Sequence, residues 1–132
     1  MIRIVRSLVI FLVLMIVVVS GLVAYLSANQ SRVLNENFET IAYNTLEDGE
    51  YEGSYKGTRW ENTVRVAIED GQIITITPLD DQRFANPEVR TLLFSRVIDE
   101  NSIDVDSVSG ATVTSIAYLK AIEDALLKAE DK

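Results

Sequence analysis

The sequence predicts an α+β domain, a small antiparallel sheet with helices packed on one face, preceded by a single N-terminal transmembrane helix. Three observations predict it. Residues 7–26 form an unbroken apolar run without a charge. Between 50 and 77, apolar and polar residues alternate with period two, and Asp70-Gly71 interrupts the alternation as a two-residue hairpin turn. Beyond 86, apolar residues recur at helical spacing in two separate runs. Strands followed by helices place the helices on one side of the sheet. The chain divides into an anchor over 1–27, a juxtamembrane linker over 28–47 and a domain over 48–132.

The apolar run is 20 residues long, and at 1.5 Å per residue such a helix spans about 30 Å, the thickness of the hydrocarbon core. A cleaved signal peptide has a shorter core of about 7–15 residues and an A-x-A-like site. Here the run is longer and Ala24-Tyr25-Leu26-Ser27-Ala28 is a poor cleavage site, so an uncleaved anchor is expected. Arg3 and Arg6 precede the run, and no Lys or Arg follows until Arg32. The positive-inside bias then puts the N-terminus in the cytoplasm and the domain outside.

In the linker, Val33, Leu34, Phe38, Ile41 and Ala42 recur at roughly helical spacing, which predicts an amphipathic helix over 28–46. Asp48-Gly49 ends it. Tyr51, Gly53 and Tyr55 then alternate with Glu52, Ser54 and Lys56 as a first strand. Gly53 inside that strand marks either a bulge or a close approach by a backbone or a ligand. Val64, Val66 and Ile68 build a second strand, and 72–77 returns as a third. Trp60, at the turn between the first two, is expected to lid the edge of the core. Residues 78–85 read as a loop leaving the sheet. Asn86-Pro87 reads as a helix N-cap followed by proline at the first helical position, opening a helix over 87–99. Residues 102–105 are expected to lie extended beside the sheet. Ile116, Leu119, Ile122, Leu126 and Leu127 define the last helix.

Composition excludes several functions. The formal net charge is −8 with 20 acidic against 12 basic residues, so nucleic acid is not an expected partner. There is no Cys and no His. That removes thiolate and imidazole metal sites, a Cys nucleophile and any Ser-His-Asp triad. Lys56 and Arg65 read as solvated charges on the polar face of the sheet, and Asp80 and Asp81 as ordinary loop acids.

What remains is the stretch Asp106-Ser107-Val108-Ser109-Gly110-Ala111-Thr112-Val113-Thr114, at a loop-to-helix junction. Two readings stand. In one, Ser109 or Thr112 simply caps the helix. In the other, the unpaired N–H groups of the helix N-terminus hold a phosphate. Gly110 then admits a phosphate oxygen close to the backbone, Ala111 leaves room, and the hydroxyls of Ser109, Thr112 and Thr114 donate to it, or one of them is esterified.

The pattern Asp106-x-x-Ser109-Gly110-Ala111-Thr112-x-Thr114 resembles the flavinylation motif of the FMN-binding domain family. That family includes the C subunit of sodium-translocating NADH:quinone reductases and the G subunit of Rnf-type complexes. The Tyr51-x-Gly53 strand, the Val64-to-Ile68 strand, the Asp70-Gly71 turn and the Ala-rich last helix follow the family's order over roughly 48–130. The resemblance implies FMN joined by a phosphoester to Thr112, with Thr114 as the reserve acceptor. It implies that a flavin transferase using FAD and magnesium installs it, with Asp106 at the position that enzyme recognises, and that Ser109 and Gly110 contact the phosphate. The isoalloxazine is expected at the sheet edge, near Tyr51, Gly53, Tyr55 and Leu79. The large quinone-reductase subunits carry long insertions before the motif that this chain lacks, which favours a stand-alone tethered carrier. The implied function is a membrane-anchored extracytoplasmic electron carrier, exchanging electrons with other membrane or extracytoplasmic redox proteins. The competing reading is a membrane-tethered binding or sensor module with the fold but no flavin. An independent enzyme would need a carboxylate pair of shifted pKa, and none is legible.

Overall fold

The computed structural model describes residues 1–27 and 30–130. Met1–Gln30 and Ser31–Lys132 are two compact units. In the first, α1 (Ile2–Ser27) is one uninterrupted helix, long and apolar enough to cross a membrane. Ser7 and Ser20 turn their hydroxyls back on the helix, Ser7 Oγ to Arg3 O at 3.0 Å and Ser20 Oγ to Ile16 O at 2.8 Å. Polar groups satisfied inside the helix in this way cost little in hydrocarbon.

In the second unit, β1 (Gly49–Tyr55), β2 (Asn62–Glu69) and β3 (Gln72–Asp80) form an antiparallel meander in the order β1-β2-β3. Asp70 and Gly71 both take positive φ, 52° and 71°, as the tight hairpin between β2 and β3 requires. One face is buried: Tyr51, Gly53 and Tyr55 from β1, Val64, Val66 and Ile68 from β2, Ile73 and Ile76 from β3. The buried pair on β3 is three residues apart, not two. The register explains it, because Ile68 pairs with Ile73 while Ala67 pairs with Thr75, which leaves Ile74 bulged outward. A second shift at Thr63/Val64 carries β3 on through Pro78 to Asp80, so the stretch expected to leave the sheet at 78 stays in it for three more residues. Pro78 is tolerated because β3 is an edge strand.

Helix α3 (Pro87–Glu100) starts as its sequence predicts, with the Asn86 side chain accepting from Glu88 N and Val89 N. It ends at Asn101, whose φ of 48° is left-handed. The Asn101 side chain also accepts from Ile73 N at 2.8 Å, tying the helix end to the hairpin. Helix α4 (Thr112–Glu130) lies across β1 and β2 and buries Ala117, Tyr118, Ala121, Ile122, Ala125 and Leu126.

The close approach at Gly53 is that of α4. A Cβ on Gly53 would stand 2.0 Å from Ala121 O and 2.4 Å from Ala125 N. Gly53 and Tyr51 therefore belong to the helix–sheet interface and offer no surface to a flavin. The Tyr55 ring is likewise buried, and its hydroxyl donates to Glu36.

Two further expectations are corrected. The segment before β1 is not one amphipathic helix. Only a single turn, α2 (Gln30–Leu34), and a 3-10 turn at Tyr43–Thr45 are helical, and the expected helix begins at Ala28 and Asn29, which lie outside the described residues. Residues 35–42 instead run as an irregular strap along α4. Its backbone amides are taken by tertiary partners, Glu39 N by the Glu123 carboxylate and Ala42 N by Glu130 at 3.5 Å. Those bonds replace the intrahelical ones, and Val33 and Ile41 still reach the core. Residues 102–105 add no strand; Ile103 N donates to the Tyr43 hydroxyl at 2.9 Å instead.

Trp60 is buried in the core edge, as its position predicts. Asp81 is no ordinary loop acid. It accepts from the Tyr118 hydroxyl and pairs with Arg90, joining the end of β3 to both helices. Tyr118 is fully buried and meets Phe94 edge-on, with ring centroids 5.4 Å apart. Burial first, and the Asp81 carboxylate second, push its phenol well above the ordinary tyrosine value.

Two outcomes follow for stability. Gly53→Ala forces α4 off the sheet, and such overpacking costs about 1–3 kcal/mol or more, readable as a lower urea midpoint at unchanged slope. A phenol raised in the fold contributes stability that is complete below its unfolded pKa of about 10 and is lost as pH rises beyond it. Tyr118→Phe should therefore flatten the alkaline decline in stability while costing about 2 kcal/mol near neutrality through the lost bond to a charged acceptor, measured by urea titration between neutral and alkaline pH.

Candidate functional site: the loop that opens helix α4

The loop from 105 to 111 is held from both sides. Arg96 on α3 donates to Asp106 O at 2.8 Å and Ser107 O at 3.2 Å. Val108 is buried as a plug, and Ser115, one turn into α4, closes the loop onto the helix. The Ser115 hydroxyl donates to Ala111 O at 2.7 Å and accepts from Val108 N at 3.0 Å. Between those anchors Ala111 N donates to Val108 O at 2.9 Å, closing a β-turn whose central residues are Ser109 and Gly110. Gly110 takes φ 77°, the left-handed value that suits glycine at the third turn position. An added Cβ there would meet nothing within 4 Å, so the turn is open to solvent.

Helix α4 begins at Thr112, and Ser115 N donates to Ala111 O. The cap position thus belongs to Ala111, not to Ser109 or Thr112. Alanine has no side chain with which to cap. Among the described residues no side chain accepts from the amides of Thr112, Val113 or Thr114. The first turn therefore keeps its donors and its partial positive charge for an outside acceptor. Asp106, Ser109, Gly110 and Thr112 are exposed, while Ala111 and Thr114 are half-buried. This donor set, an open glycine turn, three uncapped amides and exposed hydroxyls, fits a phosphate.

The two threonines look in different directions. Thr114 is about 200° around the axis from Thr112. It borders a small polar cavity of about 140 Å³ shared with Arg59, Trp60, Gln82 and Phe84. Gln82 donates to Thr114 O at 3.0 Å, and the Arg59 guanidinium lies 4.3 Å from the Trp60 ring centroid with its buried Nε unpartnered. Thr112 instead shares an i, i+4, i+7 stripe with Ile116 and Leu119. Those two line a groove of about 560 Å³ between α4, the strap and the 102–107 segment. Leu79 is 42% exposed at the bulged end of β3 and lines neither cavity.

The profile of the FMN-binding domain family matches residues 55–127, more than half of the chain, and takes in the whole loop and nearly all of α4. The chain belongs to the FMN-binding domain family. A protein of Treponema pallidum (strain Nichols), described as an uncharacterized protein, is 36% identical over 84 residues, which are 61% of this chain and 23% of that protein. The chain thus spans about a quarter of that relative's length. The match begins at Tyr55, the last residue of β1, so α1, the strap and most of β1 lie ahead of it.

Sequence reasoning singled out Asp106, Ser109, Gly110, Ala111, Thr112 and Thr114, and the structure places them in the loop and the first turn of α4. It missed Ser115, Arg96, Arg59 and Gln82. Ser115 left a legible trace, a small hydroxyl residue four positions after Ala111. Arg96 and Arg59 left none, because each reaches the loop or its neighbourhood through tertiary folding. Ser115→Ala leaves the buried Val108 amide without an acceptor, and such an orphan costs about 1–3 kcal/mol. Loss of that size in thermal or urea unfolding, with far-UV circular dichroism retained, is the expected result.

Proposed function

We propose that this chain is a membrane-anchored, extracytoplasmic electron carrier that holds FMN through a phosphoester to Thr112. The observation that carries the reading is the exposed Thr112 hydroxyl at the uncapped start of α4, directly after the open Gly110 turn, in a chain of the FMN-binding domain family. The amides of Thr112, Val113 and Thr114 and the hydroxyl of Ser109 are the groups that would surround the phosphate. They hold it with backbone dipoles, which suits a domain with so few basic residues. Bound FMN supplies the electron exchange; the protein supplies attachment, position and field.

Attachment balances as a transfer. Thr112 Oγ1 bonds to the FMN phosphorus of FAD, the pyrophosphate P–O bond breaks, and AMP leaves while the threonine proton passes to a base of the flavin transferase. Asp106 is exposed on a loop that Arg96 holds still, which suits a position read by that enzyme. Helix α1 serves as the anchor, and Arg3 and Arg6 at its start favour a cytoplasmic N-terminus. A covalent bond removes the dissociation equilibrium that would empty an open site where FMN is scarce. The redox partners are then other membrane or extracytoplasmic electron carriers.

Intact-mass analysis of the full chain co-expressed with a flavin transferase tests this. The expected gain is one FMN less one water, mapped to the peptide containing Thr112. Thr112→Ala should abolish the gain and the yellow colour, and Thr114→Ala should keep both. The opposite pattern moves the acceptor to Thr114. No adduct in the co-expressed wild type sinks the flavin reading and leaves a tethered module without flavin.

A further inference from the structure

We infer that Asp124 and Lys128 of α4 close the free edge of β1 against strand pairing with a second copy of this chain. β1 is an edge strand, paired with β2 over all seven of its residues without a register shift. In such a ladder alternate residues turn their N–H and C=O away from the neighbouring strand. Glu50, Glu52 and Ser54 are those residues here, because the bonds from α4 fall on this set. Asp124 Oδ2 accepts from Ser54 N at 2.9 Å, and Lys128 Nζ donates to Glu52 O at 2.7 Å. The two side chains also pair with each other at 3.2 Å. Their spacing fits the strand: four residues of helix rise about 6 Å, and the two-residue step from Glu52 to Ser54 covers roughly 6.6 Å.

A partner strand would lie about 4.8 Å from β1, in the space these two side chains cross, and its ladder would need Ser54 N and Glu52 O. The second copy is the partner this geometry fits. A two-fold axis at Glu52 sets β1 antiparallel to itself, so that Glu50 faces Ser54 of the other copy and each strand supplies the groups the other lacks. Glu50 and Glu52 put like charges on the outer face, but Arg65 pairs with both and offsets them. The other edge, β3, is blunted by its backbone and by α3. Asn101 takes Ile73 N at 2.8 Å, Pro78 has no N–H to offer, and two register shifts break the line of the strand. β1 has neither proline nor bulge, so its guard is the pair of side chains.

The test compares the full chain in detergent with Asp124→Ala/Lys128→Ala, by sedimentation and deuterium exchange over a range of concentrations. Alanine keeps the helix, both side chains reach solvent, and the freed Ser54 N–H turns to water. Far-UV circular dichroism and the urea midpoint should therefore stay near wild type. The mass of the double variant should rise with concentration toward a dimer of the wild-type species, and the amides of Glu50 and Glu52 should exchange more slowly in step. Wild type should show neither change. Adding Ser54→Pro removes an outward N–H and leaves the ladder to β2 intact, so it should return the variant to the wild-type mass. Lys128→Ala alone, at an exposed position, opens part of the edge and should associate more weakly; it carries the same reading where the double variant does not fold. Variants that sediment as wild type does overturn the inference. So does association that survives Ser54→Pro, or a wild type whose own mass rises with the same slowing at Glu50 and Glu52.

Discussion

The structure depends on one contact, the backbone of α4 laid against β1 at Gly53. No side chain separates them there, because a Cβ at that position would stand 2.0 Å from Ala121 O. Small residues on the helix, Ala117, Ala121 and Ala125, complete the approach and are fully buried. With the helix seated this deeply, Tyr118 reaches Asp81 and the Asn62 side chain reaches Ala117 O at 3.1 Å. These bonds index α4 along its axis as well as holding it down. Its N-terminus is thereby presented at a defined place, and the loop before it, pinned by Arg96 and Ser115, has little freedom left.

An acidic chain that must hold a phosphate faces an electrostatic conflict. A formal charge of −8 repels the ligand, and a cluster of lysines at the site would be the simplest remedy. In the function proposed above, the fold takes another route. Uncapped amides at a helix start attract an anion over a short range without changing net charge. Ala111 at the cap position is what leaves them uncapped, since Ser, Thr, Asp or Asn there would satisfy them internally. The helix gives up about 1 kcal/mol of capping stability, and tertiary packing along the rest of α4 offsets it.

The strap shows the same economy of charge. Glu123 is 2% exposed, and a buried carboxylate is tolerated only with partners. Lys120 and the Glu39 amide provide them. Removing either would leave an uncompensated charge inside, so the pair ties 37–39 to α4 more firmly than its surface counterparts, Lys56–Glu61 and Arg65–Glu52, tie anything. Residues ahead of the matched stretch are thus fixed to the helix that it covers, within one compact unit.

Local chemistry was legible in the sequence wherever one interaction dominates. Period-two alternation marked the strands, Asp70-Gly71 the hairpin and Asn86-Pro87 the start of α3, because each is decided by a few neighbouring residues. The junction from Asp106 to Thr114 was legible for the same reason, as a run of small and hydroxyl residues before a helix. Tertiary structure decided what local patterns leave degenerate. Residues 35–42 have helical spacing of apolar residues, yet carboxylates more than 80 positions away take the amides of Glu39 and Ala42, and the segment runs irregular. Gly53 was open between a bulge, a backbone and a ligand until α4 occupied the space. Which residue caps α4 turned on a single register, set by the Ser115 to Ala111 bond and by packing behind it. Sequence determined that a hydroxyl-rich helix start exists in this protein; only the fold decided that Thr114 borders the small polar cavity while Thr112 stays exposed on another side of the helix, because direction around a helix axis acquires meaning only once its neighbours are in place.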